Sequence, residues 1–285
     1  MRRVTIEVER LDPIAASAPR EDRAVLDVRE LAAFAAGHLP GSGHLPAAEL
    51  AERRAELPPR GTPVLVVADE GSAARTAAET LIALGYPRVA ALDAPLSEWP
   101  GGAIDRAPAR RLWRPSPFLE RMMPYLPRPG PGVRVIDLAA GAGREAVFLA
   151  LAGYQVDAWD HDGDVLLRAN ALAERHGVAI TTVVRNLERR VPDLPVGEHQ
   201  VVTVFRFLHR PLLPHIARAV APGGCLVYET FRRGQERFGR PKSGRFLFDP
   251  GELRGAFPDL EVEHYEESDP PEGPVLARLL ARRRP

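Results

Sequence analysis

The chain has 285 residues with 38 basic and 38 acidic side chains, a balance that excludes the global positive field of a general nucleic-acid binder. Hydrophobic residues make up 45% and charged residues 27%, as in globular proteins, and no apolar run approaches the ~18 residues of a membrane span. The N-terminal MRRVTIEVER lacks a secretory apolar segment and the single cysteine, Cys225, has no intrachain partner, so a reducing cytoplasm is the expected location.

At roughly 100–200 residues per domain, the length favours two domains. In chain order, apolar runs at 24–27, 64–68 and 89–92 alternate with helical patterns at 30–36 and 72–84, which predicts a small parallel α/β unit. The densest Pro/Gly punctuation follows at 100–117 and places a boundary near residue 107, giving domains 1–107 and 108–285. Beyond it, strands are predicted at 133–138, 155–160, 180–184, 201–205 and 225–229, with a helical pattern after each of the first four. Strands at 261–265 and 275–281 complete a Rossmann-like, seven-stranded mixed sheet, so the fold class is α/β throughout.

The first block, VLDVRELAAFAAGHLPGSGHLP at 25–46, resembles the opening of rhodanese domains through Asp27, Val28, Arg29, Phe34, Gly37, His38, Pro40 and Gly41. VLVVADEGSAARTAAETLIALGY and then VAALDAPLSEW resemble the catalytic loop, its helix and a late segment of the same family. The resemblance implies a cysteine nucleophile at the strand end, its thiol acidified by backbone N–H groups. Ala68 stands there instead, Asp69 and Glu70 make the loop acidic, and Ala73 replaces a common arginine. The expected role is therefore non-catalytic: docking of a protein partner, regulation, or packing. His38 and His44 have no third ligand nearby in sequence, so turn structure is expected and no metal.

In the second domain, VRVIDLAAGAGREAVFLALAGYQVDAWD at 133–160 combines a strand, a small-residue loop and a helix whose N-terminus offers free N–H groups. Gly141, Gly143 and Ala146, with Asp160 further on, satisfy a dinucleotide pattern. Asp137 at the end of the strand discriminates: Asp137, Ala139, Gly141 and Gly143 resemble the DxGxGxG of class I S-adenosylmethionine (SAM) methyltransferases, Ala139 departing from the first glycine. YETF at 228–231, FLFDPGELRGAFPDLEVEHYEE at 246–267 and VLARLLAR at 275–282 resemble the tellurite-resistance-type branch of these enzymes. The resemblance implies SAM as cofactor and S-adenosylhomocysteine (SAH) as product. It assigns Asp160 to the ribose with His161 beside it, Asn186 to the adenine amino group, Leu187 to the ring, and Phe205 to the strand end near the methyl group.

FRFLHRP at 205–211 puts Arg206 and His209 at that strand end, as candidate catalytic and substrate residues: Arg206 for an anion, His209 to take a proton or orient the acceptor. Basic residues crowd positions 232–245, Arg240 among them, with Glu236 as the sole acid, a loop suited to a small anion or to phosphates. Trp113, Pro115, Pro117 and Phe118 are expected to form a lid over the cofactor, and Cys225 to be a buried structural residue. The expected function is methylation of a small anionic acceptor without metal, membrane or nucleic acid. A non-catalytic SAM-binding regulator and an RNA or protein methyltransferase are the alternatives.

Overall fold

The structure, a computed structural model, describes residues 8–12, 22–99, 104–189 and 194–285. Two compact units emerge, Met1–Arg114 and Pro115–Pro285. The first unit runs past 107 because the following segment is stitched to it. Asp105 exchanges both backbone hydrogen bonds with His38 (3.0 and 2.8 Å), and the Arg110 N–H donates to the Ser42 carbonyl at 2.8 Å. Residues 1–7 of the N-terminal stretch and 100–103 of the Pro/Gly-rich stretch lie outside the described residues.

Unit 1 is a five-stranded, all-parallel sheet in the order β1-β5-β4-β2-β3, formed by β1 (Glu9–Leu11), β2 (Ala24–Asp27), β3 (Gly43–His44), β4 (Val64–Val67) and β5 (Val89–Leu92). Helices α1 (Leu31–Ala36) and α2 (Gly71–Ala83) accompany it. The VLVV of β4 is buried on both faces, as a central parallel strand must be. Buried Asp27 and Arg29 pair at 2.7 Å, and Arg29 also donates to the Gly37 carbonyl, tying the end of β2 to the end of α1. Ala68 follows β4 directly, with Asp69 and Glu70 leading into α2. His38 lies flat on Phe34 with both ring nitrogens on backbone carbonyls, and His44 bonds the Arg29 carbonyl. Among the described residues no group of side chains is arranged to hold a metal ion.

Unit 2 is a seven-stranded sheet in the order β11-β12-β10-β9-β6-β7-β8. Its strands are β6 (Arg134–Leu138), β7 (Gln155–Asp160), β8 (Thr181–Val184), β9 (His199–Phe205), β10 (Val220–Phe231), β11 (Glu261–Ser268) and β12 (Leu276–Arg282). All neighbours pair in parallel except β12, which runs antiparallel to both β10 and β11. β10 begins irregularly, its register with β9 slipping between Val220 and Cys225. The helix expected after β8 does not appear among the described residues, where β8 leads into a turn.

Strand alternation sorts the core into two layers. Ile136, Leu138, Val202, Val204, Leu226 and Tyr228 join one apolar cluster; Val135, Val201, Phe205, Cys225 and Val227 join the other. The helices are α3 (Pro117–Met122), α4 (Arg144–Leu151), α5 (Gly163–Arg175), α6 (Leu213–Ala219) and the short α7 (Glu252–Gly255). Asp162 caps α5 by accepting from the N–H groups of Asp164 and Val165, and Leu166, Ala169, Leu172 and Ala173 form its buried stripe. Strand order reverses between β6 and β9, and open α/β sheets bind ligands at the carboxyl edge of such a switch point. No described helix is long and apolar enough to cross a membrane.

Candidate functional site

At the carboxyl end of β6 the chain enters a loop in which Ala139, Gly141 and Gly143 all have positive φ (59°, 54° and 78°). Gly143 serves close packing: a Cβ there would lie 2.6 Å from the Cβ of Ala169 on α5. Gly141 serves access, since a Cβ there would meet nothing within 4 Å. The loop is pinned from β7, where Oδ2 of the buried Asp160 accepts from the Gly141 N–H at 2.9 Å and Oδ1 from the Asp162 N–H at 3.0 Å. His161 is exposed, its Nδ1 3.0 Å from Asp160 Oδ1. Asp160 thus shapes the loop as well as facing the cavity.

Asp137 stands opposite Thr203 in the β6–β9 ladder and accepts from its hydroxyl at 2.7 Å. Its other oxygen, Oδ2, is buried without a hydrogen-bond partner. Burial, and next the neighbouring Glu145, push this carboxyl up to about 8, against the Thr203 hydrogen bond. A buried, half-satisfied carboxyl behind a loop with open backbone suits a cationic ligand, and SAM carries a sulfonium and an ammonium group. The donor set fits the cofactor that the sequence implies: the Asp160 carboxylate faces the cavity, and Asp137 lies behind the loop, protonated below about pH 8.

A cavity of about 330 Å³ is lined by Ala139, Asp160, His161, Asn186, Leu187 and Arg206, among others. Asn186 Oδ1 is already taken by the N–H groups of Glu188 and Arg189, leaving its amide nitrogen as the donor available to a base. Leu187 is buried against the core. A second cavity of about 740 Å³ shares Glu188, Arg206 and Phe207 with the first and continues to Arg240 and Phe246. Ala139 and Arg206 are the two non-glycine residues of positive φ among the described residues, and both line the smaller cavity. Strain of this kind concentrates at functional sites.

Arg206 (φ 58°) is held in place by its surroundings. Its guanidinium lies 3.2 Å from Oε1 of the fully buried Glu229 and 4.9 Å from the centre of the Phe231 ring. Glu229 in turn accepts from Ser116 Oγ at 2.9 Å and Arg278 Nε at 2.5 Å. Burial lowers the Arg206 pKa from a very high starting value, so the group remains a cation.

Other expected positions fall elsewhere. Phe205 does not line either cavity; the pleat turns it into the apolar layer with Ala140 and Phe118, and Phe207, two residues on, takes the cavity wall. His209 is absent from both linings, its carbonyl closing a turn to Leu212. Phe118 is core rather than lid, packed with Leu119 and Met122. The basic stretch is less basic than its sequence: Arg232 pairs with Glu267 at 3.3 Å, Arg233 with Asp249, Arg237 with Asp269 and Arg245 with Glu188 at 3.7 Å. Arg240 and Lys242 have no acidic partner among the described residues, and both line the larger cavity. Glu188 and Phe207 were not singled out in the sequence because turns, not periodicity, bring them to the cavities, whereas Lys242 belongs to the basic stretch that was. Cys225 is buried, its thiol pushed up to about 12 by desolvation, and inert.

Residues 12–101 match the rhodanese-like domain family and residues 129–269 the tellurite resistance protein TehB family. Thiosulfate sulfurtransferase GlpE of Pseudomonas entomophila is 35% identical over 96 residues, covering 33% of this chain and 85% of that protein. The chain joins a rhodanese-like domain to a TehB-type SAM-dependent methyltransferase domain. The probable S-adenosyl-L-methionine-dependent methyltransferase TehB of Haemophilus influenzae is 27% identical over 142 residues, 47% of this chain and 48% of that protein. The chain thus spans about half the length of the TehB relatives that it matches. The crystal structure of H. influenzae TehB superposes with a TM-score of 0.47 at 19% identity, covering 59% of this chain and 61% of the other.

Proposed function

We propose that the TehB-type domain transfers a methyl group from SAM to a small anionic acceptor in the larger cavity. The observation that carries the reading is the junction of the two cavities at Arg206, a strained residue at the carboxyl edge beside the switch point. When bound, SAM supplies an activated methyl group whose transfer needs only a nucleophile aligned with it. The chain's part is positional and electrostatic. Asp137 and Asp160 hold the charged and ribose ends, Asn186 and Leu187 the base, and Arg206 an anionic acceptor within reach of the donor. His209 is not required as a base in this arrangement, since an anionic acceptor brings no proton to remove.

The rhodanese-like domain acts in this reading as a docking or regulatory module for a protein partner. Its support is Ala68 at the strand end, beside Asp69 and Glu70, in a unit whose sequence contains no cysteine. A reducing cytoplasm accords with a lone, buried Cys225.

Calorimetric titration of SAM and SAH into the full chain tests the reading. Micromolar binding that falls sharply in Asp160→Asn and Asp137→Asn is the expected result; folded protein that binds neither ligand overturns it. Asparagine is preferred to alanine at 160 because it retains an acceptor for the Gly141 N–H.

A further inference from the structure

The larger cavity measures about 740 Å³, within the range of roughly 300–1,000 Å³ that encloses organic ligands. A bare inorganic oxyanion would fill only a corner of it and would be served by a tight ring of donors. The lining is instead mixed: Leu208, Pro241 and Ser243 are part of it, and its one acid, Glu188, has Arg245 at 3.7 Å. Phe207, Phe231 and Phe246 supply aromatic surface; Arg206, Arg240 and Lys242 supply positive charge.

Two of the rings, and the backbone that carries the third, have partners within the chain before any ligand arrives. The Phe231 ring carries the Arg206 guanidinium at 4.9 Å and the Phe246 ring that of Arg245 at 4.3 Å. The Tyr228 hydroxyl, reaching up from the core, donates to the Phe207 carbonyl at 2.9 Å. Gln235, itself buried, accepts from the Val275 N–H at 2.9 Å and donates to the Arg240 carbonyl at 3.4 Å, anchoring the loop that bears Arg240 and Lys242. Such preorganisation lowers the ordering cost of binding a flat apolar body. The charges divide as well: Arg206 belongs to both cavities, whereas Arg240 and Lys242 line the larger one alone.

We propose that the acceptor is an aromatic organic acid: its acidic group engages Arg240 and Lys242, its ring lies among Phe207, Phe231 and Phe246, and its anionic oxygen or sulfur nucleophile sits at Arg206. The inference rests on the methyltransferase reading and goes beyond it in naming the acceptor class. For a thiolate, the acceptor sulfur forms a new C–S bond as the sulfonium C–S bond breaks. The electron pair of the broken bond stays on the departing sulfur, and no proton moves.

The test uses the full chain preloaded with SAH, and four probes measured by calorimetry. Two are aromatic acids of different length, 4-mercaptobenzoate and 6-mercapto-2-naphthoate. Benzenethiol lacks the acidic group, and selenite lacks the ring. At least one aromatic acid is expected to bind roughly tenfold or more tightly than either control, the worth of one charge-assisted hydrogen bond. Lys242→Ala with Arg240→Ala should erase the advantage over benzenethiol, and Phe246→Leu the advantage over selenite, with SAH affinity unchanged in both variants. Mass spectrometry of the S-methylated product after adding SAM gives a second readout. If SAH binds and neither aromatic acid exceeds the controls, the acceptor inference is overturned and the methyltransferase reading survives; if SAH itself does not bind, both fall.

Discussion

Ala139 holds a left-handed backbone that costs an L-residue roughly 1–2 kcal/mol, whereas a glycine there would add about 0.4–1 kcal/mol of unfolded-state entropy. The first effect is larger, so Ala139→Gly should stabilise unit 2 by about 0.5–1 kcal/mol in urea titration, and an unchanged midpoint would show that the loop has relaxed around the methyl. Two residues away the same chemistry has opposite consequences. Gly141→Ala meets nothing with its methyl but takes on the same left-handed strain, roughly 1–2 kcal/mol, and should keep the fold while weakening SAH binding. Gly143→Ala adds to that strain a methyl driven into Ala169, which should cost about 1–3 kcal/mol more. Asp137 gives a pH signature. With its folded pKa raised to about 8 from an ordinary value of 3.8, the stability it lends is complete below the unfolded pKa and is lost as pH rises through 8. Glu145 and Asp160 are the acids that face it, and the Thr203 hydroxyl and Ala146 N–H the donors. A cationic ligand prefers the carboxylate, so SAM affinity should rise across the same window as ligand-free stability falls. Asp137→Asn should flatten both curves; a wild-type SAM titration independent of pH would contradict the assignment.

Among the elements, the start of α3 is tied to the rest of unit 2 by Ser116. Ser116 caps α3 through the Phe118 N–H at 3.1 Å and donates to Glu229, while its own N–H donates to Glu145 at 3.1 Å. Ser116→Ala removes the cap and one donor from a buried carboxylate, and should cost about 1–3 kcal/mol in chemical denaturation. It should also loosen Arg206, whose partner is that carboxylate, so weaker binding of the acceptor probe with intact SAH binding is expected. The positions of most strands and the loop after β6 were legible in the sequence because those strands are short, mainly apolar runs and the loop is spelled in small residues. Ser116 and Glu229 are 113 positions apart, and nothing local announces their contact. The same holds for the basic stretch, which reads as a cation cluster until Asp249, Glu267 and Asp269 arrive from other elements. His209 misled because a histidine near a strand end resembles a base, and only the turn at 209–212 shows where the chain takes it.

For the molecule as a whole, each unit has its own sheet and its own apolar clusters, so calorimetry of the full chain should resolve two unfolding transitions. SAH should raise the midpoint of one of them by mass action and leave the other in place. A single transition shifted as a block would show that the rhodanese-like domain shares in cofactor binding, and would shift the search for its role toward regulation. Lys242 has a further use. It is the one lysine of the sequence and it lines the larger cavity, so apart from the α-amino group the chain offers amine-selective reagents a single target. Reductive alkylation with isotope-labelled formaldehyde would place one nuclear spin label at the acceptor site without any engineered residue. The native chain thereby carries its own spectroscopic probe for the molecule that enters there.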